Sequence, residues 1–120
     1  MRWHVLFHEE FALEFDGFPK RVQEKILARA ESLKAIGPNL GRPDVDTLKG
    51  SRYVNMKELR FSVNNGVWRI AFAFDPNRQA VLLVAGDKLG IKEKRFYSQL
   101  ISKADQRFNS HLSKLEEAGG

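Results

Sequence analysis

Hydrophobic and polar positions along the chain change period several times, and each change marks an element. Trp3–Phe7 is short, apolar and aromatic-rich, which predicts a first strand. His8-Glu9-Glu10 then opens a short helix with Phe11 and Phe15 one turn apart on the same face, ended by Gly17 and Pro19. Pro19 suits the start of a second helix that runs to about Ile36, with Val22, Ile26, Leu27, Ala30 and Leu33 at helical spacing. Gly37-Pro38 ends it.

Residues 37–54 lack either period, and Gly, Pro and Asp predict an 18-residue loop. Alternation returns in Met56–Val63, where Leu59, Phe61 and Val63 interleave with Glu58, Arg60 and Ser62. Asn64-Asn65-Gly66 is a hairpin signal, because Asn and Gly tolerate the positive φ of tight turns. On the next strand Trp68, Ile70, Phe72 and Phe74 share one face, opposite Val67, Arg69, Ala71 and Ala73. The second face reads as the floor of a concave site, with Arg69 set among small residues. Pairing across the hairpin then puts Arg60 on the same face, since Leu59 and Phe61 belong with the Trp68 side. Ala80–Ala85 is a continuous apolar run, as expected of a strand covered on both faces. The chain leaves it through Gly86-Asp87-Lys88. A final helix begins near Lys92, and Phe96, Leu100, Ala104, Phe108, Leu112 and Leu115 form its apolar stripe. Residues 117–120 read as a flexible tail. The order β-α-α-β-β-β-α predicts one small α+β domain over residues 1–120, with helices packed on one face of an antiparallel sheet.

Charge adds a location to this picture. Residues 52–95 carry nine Lys/Arg against four Asp/Glu, whereas residues 1–51 and 96–120 are each balanced, so the net +5 lies on the sheet segment. A basic sheet in a neutral frame suggests a polyanionic partner, most simply nucleic acid, although such a cluster also suits a solvated edge. Arg42, Lys49 and Arg52 make the long loop a candidate substrate-facing arm, and Arg78, Lys92, Lys94 and Arg95 extend the basic surface.

Other chemistries are poorly provided for. Cysteine is absent, which removes disulfides, thiolate ligands and a Cys nucleophile. His4, His8 and His111 are too scattered for a metal set, so neither a metal nor a cofactor is expected. Gly86-Asp87-Lys88-Leu89-Gly90 lacks phosphate-loop spacing. No apolar run approaches the ~18 residues of a membrane span, and the first residues do not resemble a signal peptide. A soluble cytoplasmic protein without a membrane partner is expected.

A mainly basic constellation remains: Lys57, Glu58, Arg60, Arg69, Asp87, Lys88 and Tyr97. Metal-free RNA cleavage needs little more. A 2′-OH must lose its proton, a phosphorane needs cations, and the leaving 5′-oxygen needs a proton. Arginine suits the second task, because its rigid fork matches phosphate oxygens. Glu58 or Lys57 could serve as base, and Lys88 or Tyr97 as acid or substrate holder. Tyr97 could equally stack on a splayed base. The structural alternative is that Arg60 and Arg69 pair with Glu58 and Asp87 across the sheet, and Tyr97 only anchors its helix.

Several blocks together resemble a known family: Gly41 to Arg52, Asn55 to Arg60, Arg69 to Pro76, Leu83 to Lys88, and Ala104-Asp105-x-Arg107-Phe108-x-x-His111-Leu112. Over about residues 2–115 the chain resembles the phage Gp49-like/HigB toxins of type II toxin–antitoxin systems, within the RelE/ParE superfamily. The resemblance implies a RelE-like, microbial-RNase-like fold and ribosome-dependent endoribonuclease activity on mRNA (an mRNA interferase that inhibits translation). It also implies a cognate helix-turn-helix antitoxin, through which alone operator DNA would be bound. By position Arg69 matches the transition-state arginine of RelE-like toxins, while Lys88 and Arg60 match basic residues of neighbouring strands. Tyr97 corresponds to their C-terminal tyrosine, with Leu89–Lys92 as added residues before it. RelE proper has paired lysines where this chain has Met56 and Glu58, with Lys57 between. Two other readings remain open on these residues: a ParE-like gyrase poison sharing the fold, and a non-catalytic nucleic-acid-binding module.

Overall fold

A computed structural model describes residues 2–119. Its centre is a five-stranded sheet in the order β1-β5-β4-β3-β2, built from β1 (His4–Phe7), β2 (Val45–Thr47), β3 (Lys57–Val63), β4 (Gly66–Phe74) and β5 (Gln79–Asp87). Helices α1 (Glu9–Asp16) and α2 (Lys20–Ile36) follow β1, and α3 (Glu93–Gly119) closes the chain. The α+β class agrees with the sequence reading, and so does the order of elements once β2 is added. The antiparallel part of the sheet is β2–β5, whereas β1 joins β5 in parallel, from His4 opposite Gln79 to Phe7 opposite Leu82. Hairpin signals report only sequential neighbours, so they are silent on this edge.

Alternation along β4 divides two cores. Ile70 and Phe72 are fully buried against Phe11, Val22, Ile26 and Leu33 of α1 and α2. Ala71 and Ala73 are equally buried, but under Phe96, Leu100, Ala104 and Phe108 of α3. The helices therefore cover both faces, not one. The alanines are small because α3 lies close on them, and Arg69, further along the same face, is buried where it meets Tyr97 in the N-terminal part of α3.

Two further expectations change. The segment 37–54 is not an irregular arm: β2 adds to the sheet edge, with Asp46 opposite Glu58, and the following turn is tied to α3. Asp105 accepts hydrogen bonds from Ser51 Oγ and from the Arg52 backbone amide, and Tyr53 packs edge-on against Phe108 with ring centroids 5.0 Å apart. Three residues with partners reached only through folding are too short a run to read as a strand. At the C-terminus the helix continues through Glu117–Gly119, where the sequence predicted a tail. Gly120 lies outside the described residues.

The long stripe of α3 includes two polar residues that alternation of type alone would place outside. A bulge shifts the β4–β5 register from Ala71 opposite Val84 to Phe72 opposite Leu82, leaving Leu83 without a β4 partner. Arg107 Nη1 donates to the Leu83 carbonyl at 2.7 Å and to Glu14 Oε1 at 2.8 Å, while Nε lies 2.9 Å from Glu10 Oε2. One guanidinium thus caps the bulge and links α3 to α1. One turn on, His111 Nε2 meets the fully buried Asp75 carboxylate at 2.7 Å. These ties fix α3 along its length and so fix the position of its first turn.

Candidate functional site

The site forms where the N-terminal turn of α3 crosses the ends of β3, β4 and β5. Arg60 and Arg69 face each other directly across the hairpin, and Gly86 is the β5 neighbour of Arg69. Gly86 leaves room that a side chain would fill: a Cβ there would stand 2.9 Å from the Phe96 ring, which would have to shift. Its absence lets Phe96 settle on the sheet, and the next residue, Tyr97, reaches the arginine.

Tyr97 Oη donates to Glu58 Oε1 at 2.8 Å and accepts from Arg69 Nε at 3.3 Å. Arg69 Nε lies 3.7 Å from the same Glu58 oxygen, and Arg69 Nη1 donates to the Trp68 carbonyl at 2.9 Å. Both charged side chains are buried. Burial, and then the hydrogen bond to Glu58, pushes the Tyr97 hydroxyl above its ordinary value of 10.0, so it remains a proton donor at neutral pH. Lys88 completes this side: its Nζ stands 5.5 Å from the Tyr97 ring centroid and 3.0 Å from Glu93 Oε1.

Glu58 and Tyr97 open into a cleft of about 470 Å³, also lined by Arg42, Asp46, Lys49, Arg60, Glu93 and Lys94. Arg42 Nη2 donates to Asp46 Oδ2 at 3.0 Å, and Arg60 Nη1 lies 3.9 Å from the same oxygen. The hydrogen bond from Arg42, with that from the Thr47 amide, holds the Asp46 carboxyl below its ordinary value of 3.8. A larger depression of about 670 Å³ runs along Val84–Asp87 and the flank of α3, but includes none of Arg69, Glu58 or Tyr97.

Of the residues singled out from sequence, Glu58, Arg60, Arg69, Lys88 and Tyr97 come together, and Arg42, Lys49 and Lys94 line the adjoining cleft. Lys57 does not. Strand alternation sends it to the face of Leu59 and Phe61, opposite Glu58, so it is removed from the candidate bases. Arg78 is at the far end of the sheet, in the turn before β5, with its guanidinium 4.3 Å from the Trp3 ring centroid. Arg52 packs over Tyr53 at 5.3 Å. Lys92 and Arg95 line a separate depression with Gly90, Ile91 and Gln99. Asp87, offered as a partner for an arginine, instead accepts from the Val67 and Leu89 amides and shapes the exit of β5. Asp46 and Glu93 carry no sequence signal of their own. Asp46 sits on a strand too short to detect, and Glu93 is one acid among the many charges of a helix surface. Among the described residues no His, Asp and Glu side chains gather as a metal-ligand set.

Comparison with known proteins identifies the family and the fold. The family described as phage-derived protein Gp49-like matches residues 13–109. The chain belongs to the Gp49-like family. Its relatives include two Mycobacterium tuberculosis proteins. It is 43% identical over 110 residues to one named "Putative toxin HigB2", and 50% identical over 88 residues to one named "Putative toxin HigB3". These alignments cover 91% and 73% of this chain, and it spans 54% and 74% of the relatives' lengths, so the first is about twice as long as the matched part. The fold is similar to that of an arginine-to-alanine double mutant of E. coli toxin RelE in the free state. The TM-score is 0.61 at 14% identity, over 89% of this chain and 98% of that one. At that identity the likeness is one of fold. The resemblance read from the sequence is thus borne out for both family and fold. In this Gp49-like chain the site described above lies wholly within the matched region.

Proposed function

We propose that this Gp49-like protein is the toxin of a type II toxin–antitoxin system and acts as a ribosome-dependent mRNA endoribonuclease in the cytoplasm, neutralised by a cognate helix-turn-helix antitoxin. The observation that carries the reading is the convergence of Arg69, Glu58 and Tyr97 beside a cleft edged with Arg42, Arg60, Lys49 and Lys94. Names of the relatives support the toxin class; the chemistry rests on the side chains.

In this mechanism Glu58 takes the proton from a 2′-OH, whose oxygen attacks the adjacent phosphorus. The bond from phosphorus to the 5′-oxygen breaks, leaving a 2′,3′-cyclic phosphate and a 5′-hydroxyl. Arg69 stabilises the dianionic phosphorane, because its guanidinium stays charged and is anchored on the Trp68 carbonyl. Tyr97 holds the Glu58 carboxylate in place, and Lys88, whose Nζ stands 5.5 Å from the centre of the Tyr97 ring, gives the leaving oxygen its proton.

The test is inducible expression in a bacterial host, with mRNA 5′ ends mapped transcriptome-wide. Growth arrest with new in-frame cuts supports the reading. Arrest with DNA damage and no cuts replaces it with a gyrase poison, and growth without arrest from folded protein replaces it with a binding module. That last outcome would leave the Arg69–Glu58–Tyr97 group as a structural network.

A further inference from the structure

Arg42, in the turn before β2, and Arg60, on β3, lean on one carboxylate within the cleft. Asp46 Oδ1 accepts the Thr47 amide at 2.8 Å, which aims Oδ2 at Arg42 Nη2, 3.0 Å away, and towards Arg60 Nη1 at 3.9 Å. Arg42 is 78% exposed and Asp46 27%, so this is no buried pair holding the fold together. Nor does β2 need it, since β2 is held by its ladder with β3. The arrangement instead matches what a phosphate would take up: one anionic oxygen between two guanidinium groups at the cleft wall.

We propose that Asp46 is a resident anion. In the free protein it occupies the position of a substrate phosphate between Arg42 and Arg60, and a single-stranded RNA binds by displacing it. This rests on the reading of the cleft as an RNA site and adds how that site is regulated. Free RNA competes poorly with a carboxylate already in place, whereas RNA held by a second body, whose binding supplies the displacement, enters readily. Asp46 keeps the arginines from engaging stray polyanions.

The probe is a fluorescent single-stranded RNA oligonucleotide of mixed sequence, titrated by anisotropy against wild type and Asp46→Asn over a range of salt. Asn keeps an acceptor for the Thr47 amide, and Asp46→Ser serves if the first variant melts early. The inference expects the variant to bind roughly three- to ten-fold more tightly at low salt, and the slope of log K against log salt to steepen by about 0.7, one counterion for a single strand. Adding Arg42→Gln to Asp46→Asn should return the affinity towards wild type. Equal or weaker binding by Asp46→Asn, at an unchanged slope, overturns the inference and makes Asp46 a positioner of the arginines, with the RNA reading intact. No binding by either protein at low salt overturns both.

Discussion

Tyr97 donates a 2.8 Å hydrogen bond to Glu58 across 39 positions of sequence, joining the first turn of α3 to β3. Without it the buried carboxylate keeps Arg69 at 3.7 Å but loses its closest donor. Tyr97→Phe retains the ring on Phe96 and should fold normally, at a cost of about 1 kcal/mol. On the proposed mechanism it slows RNA cleavage by roughly 10- to 100-fold, the worth of one hydrogen bond to a charged group. Single-turnover cleavage against a thermal melt checks both; equal cleavage rates would remove Tyr97 from the mechanism.

Gly86 controls the same geometry without touching substrate. A methyl group at that position meets Phe96 at 2.9 Å. Gly86→Ala should cost about 1–3 kcal/mol of stability through overpacking. It should also slow cleavage by moving Tyr97 away from Glu58 and Arg69. A variant with unchanged melting and unchanged rate would show that Phe96 yields freely.

Arg107 stands apart from the site but fixes α3 beneath it. Glu14 is held below its ordinary value of 4.5 first by the hydrogen bond from Arg107. Replacing Arg107 with Met keeps much of the volume but orphans the bulged Leu83 carbonyl and two carboxylates. Because Glu10 and Glu14 remain partly exposed and can be solvated, the expected loss is about 1–3 kcal/mol, mainly from the orphaned Leu83 carbonyl and below the ~3–5 kcal/mol of a broken buried pair. Urea denaturation measures it, and a loss below about 0.5 kcal/mol would contradict this role for the guanidinium.

His8 gives the fold a predictable response to mild acid. Its Nδ1 accepts the Glu10 amide at the start of α1, at 3.1 Å, which requires an unprotonated nitrogen. Burial, and next the Arg107 charge, lowers its pKa from the ordinary 6.5. The folded value lies below the unfolded one, so the unfolded chain takes up the proton first. This contribution is present above pH 6.5 and is lost as pH falls through the folded value. Asn at position 8 caps without titrating, so His8→Asn should lose less stability than wild type between about pH 7 and about pH 5. Parallel urea midpoints across that range would contradict it.

Local pattern revealed most of the fold and most of the residues of the candidate site, while also proposing several that lie elsewhere. Helices α1 and α2, the Asn64 hairpin and the apolar run of β5 carry their signals within a few residues, and the Arg60–Arg69 juxtaposition follows from hairpin register alone. Parallel pairing of β1 depends on a long crossover and leaves no local trace. The small face of β4 misleads because alanines such as Ala71 and Ala73 suit the underside of a helix as well as the wall of a cleft. Lys57 is separated from Glu58 by strand alternation, a rule already available in the sequence. Asp46 is hidden because a three-residue edge strand has too short a period to detect.

Arg69 carries the central claim, and a purified ribosome–mRNA complex tests it most directly. Wild type and Arg69→Ala are compared in single-turnover cleavage, with the 3′ ends of the products analysed chemically. The account predicts in-frame cuts ending in 2′,3′-cyclic phosphate, slowed in the variant by about 10²- to 10³-fold while its circular dichroism stays native. Cleavage at the wild-type rate by folded Arg69→Ala would contradict it.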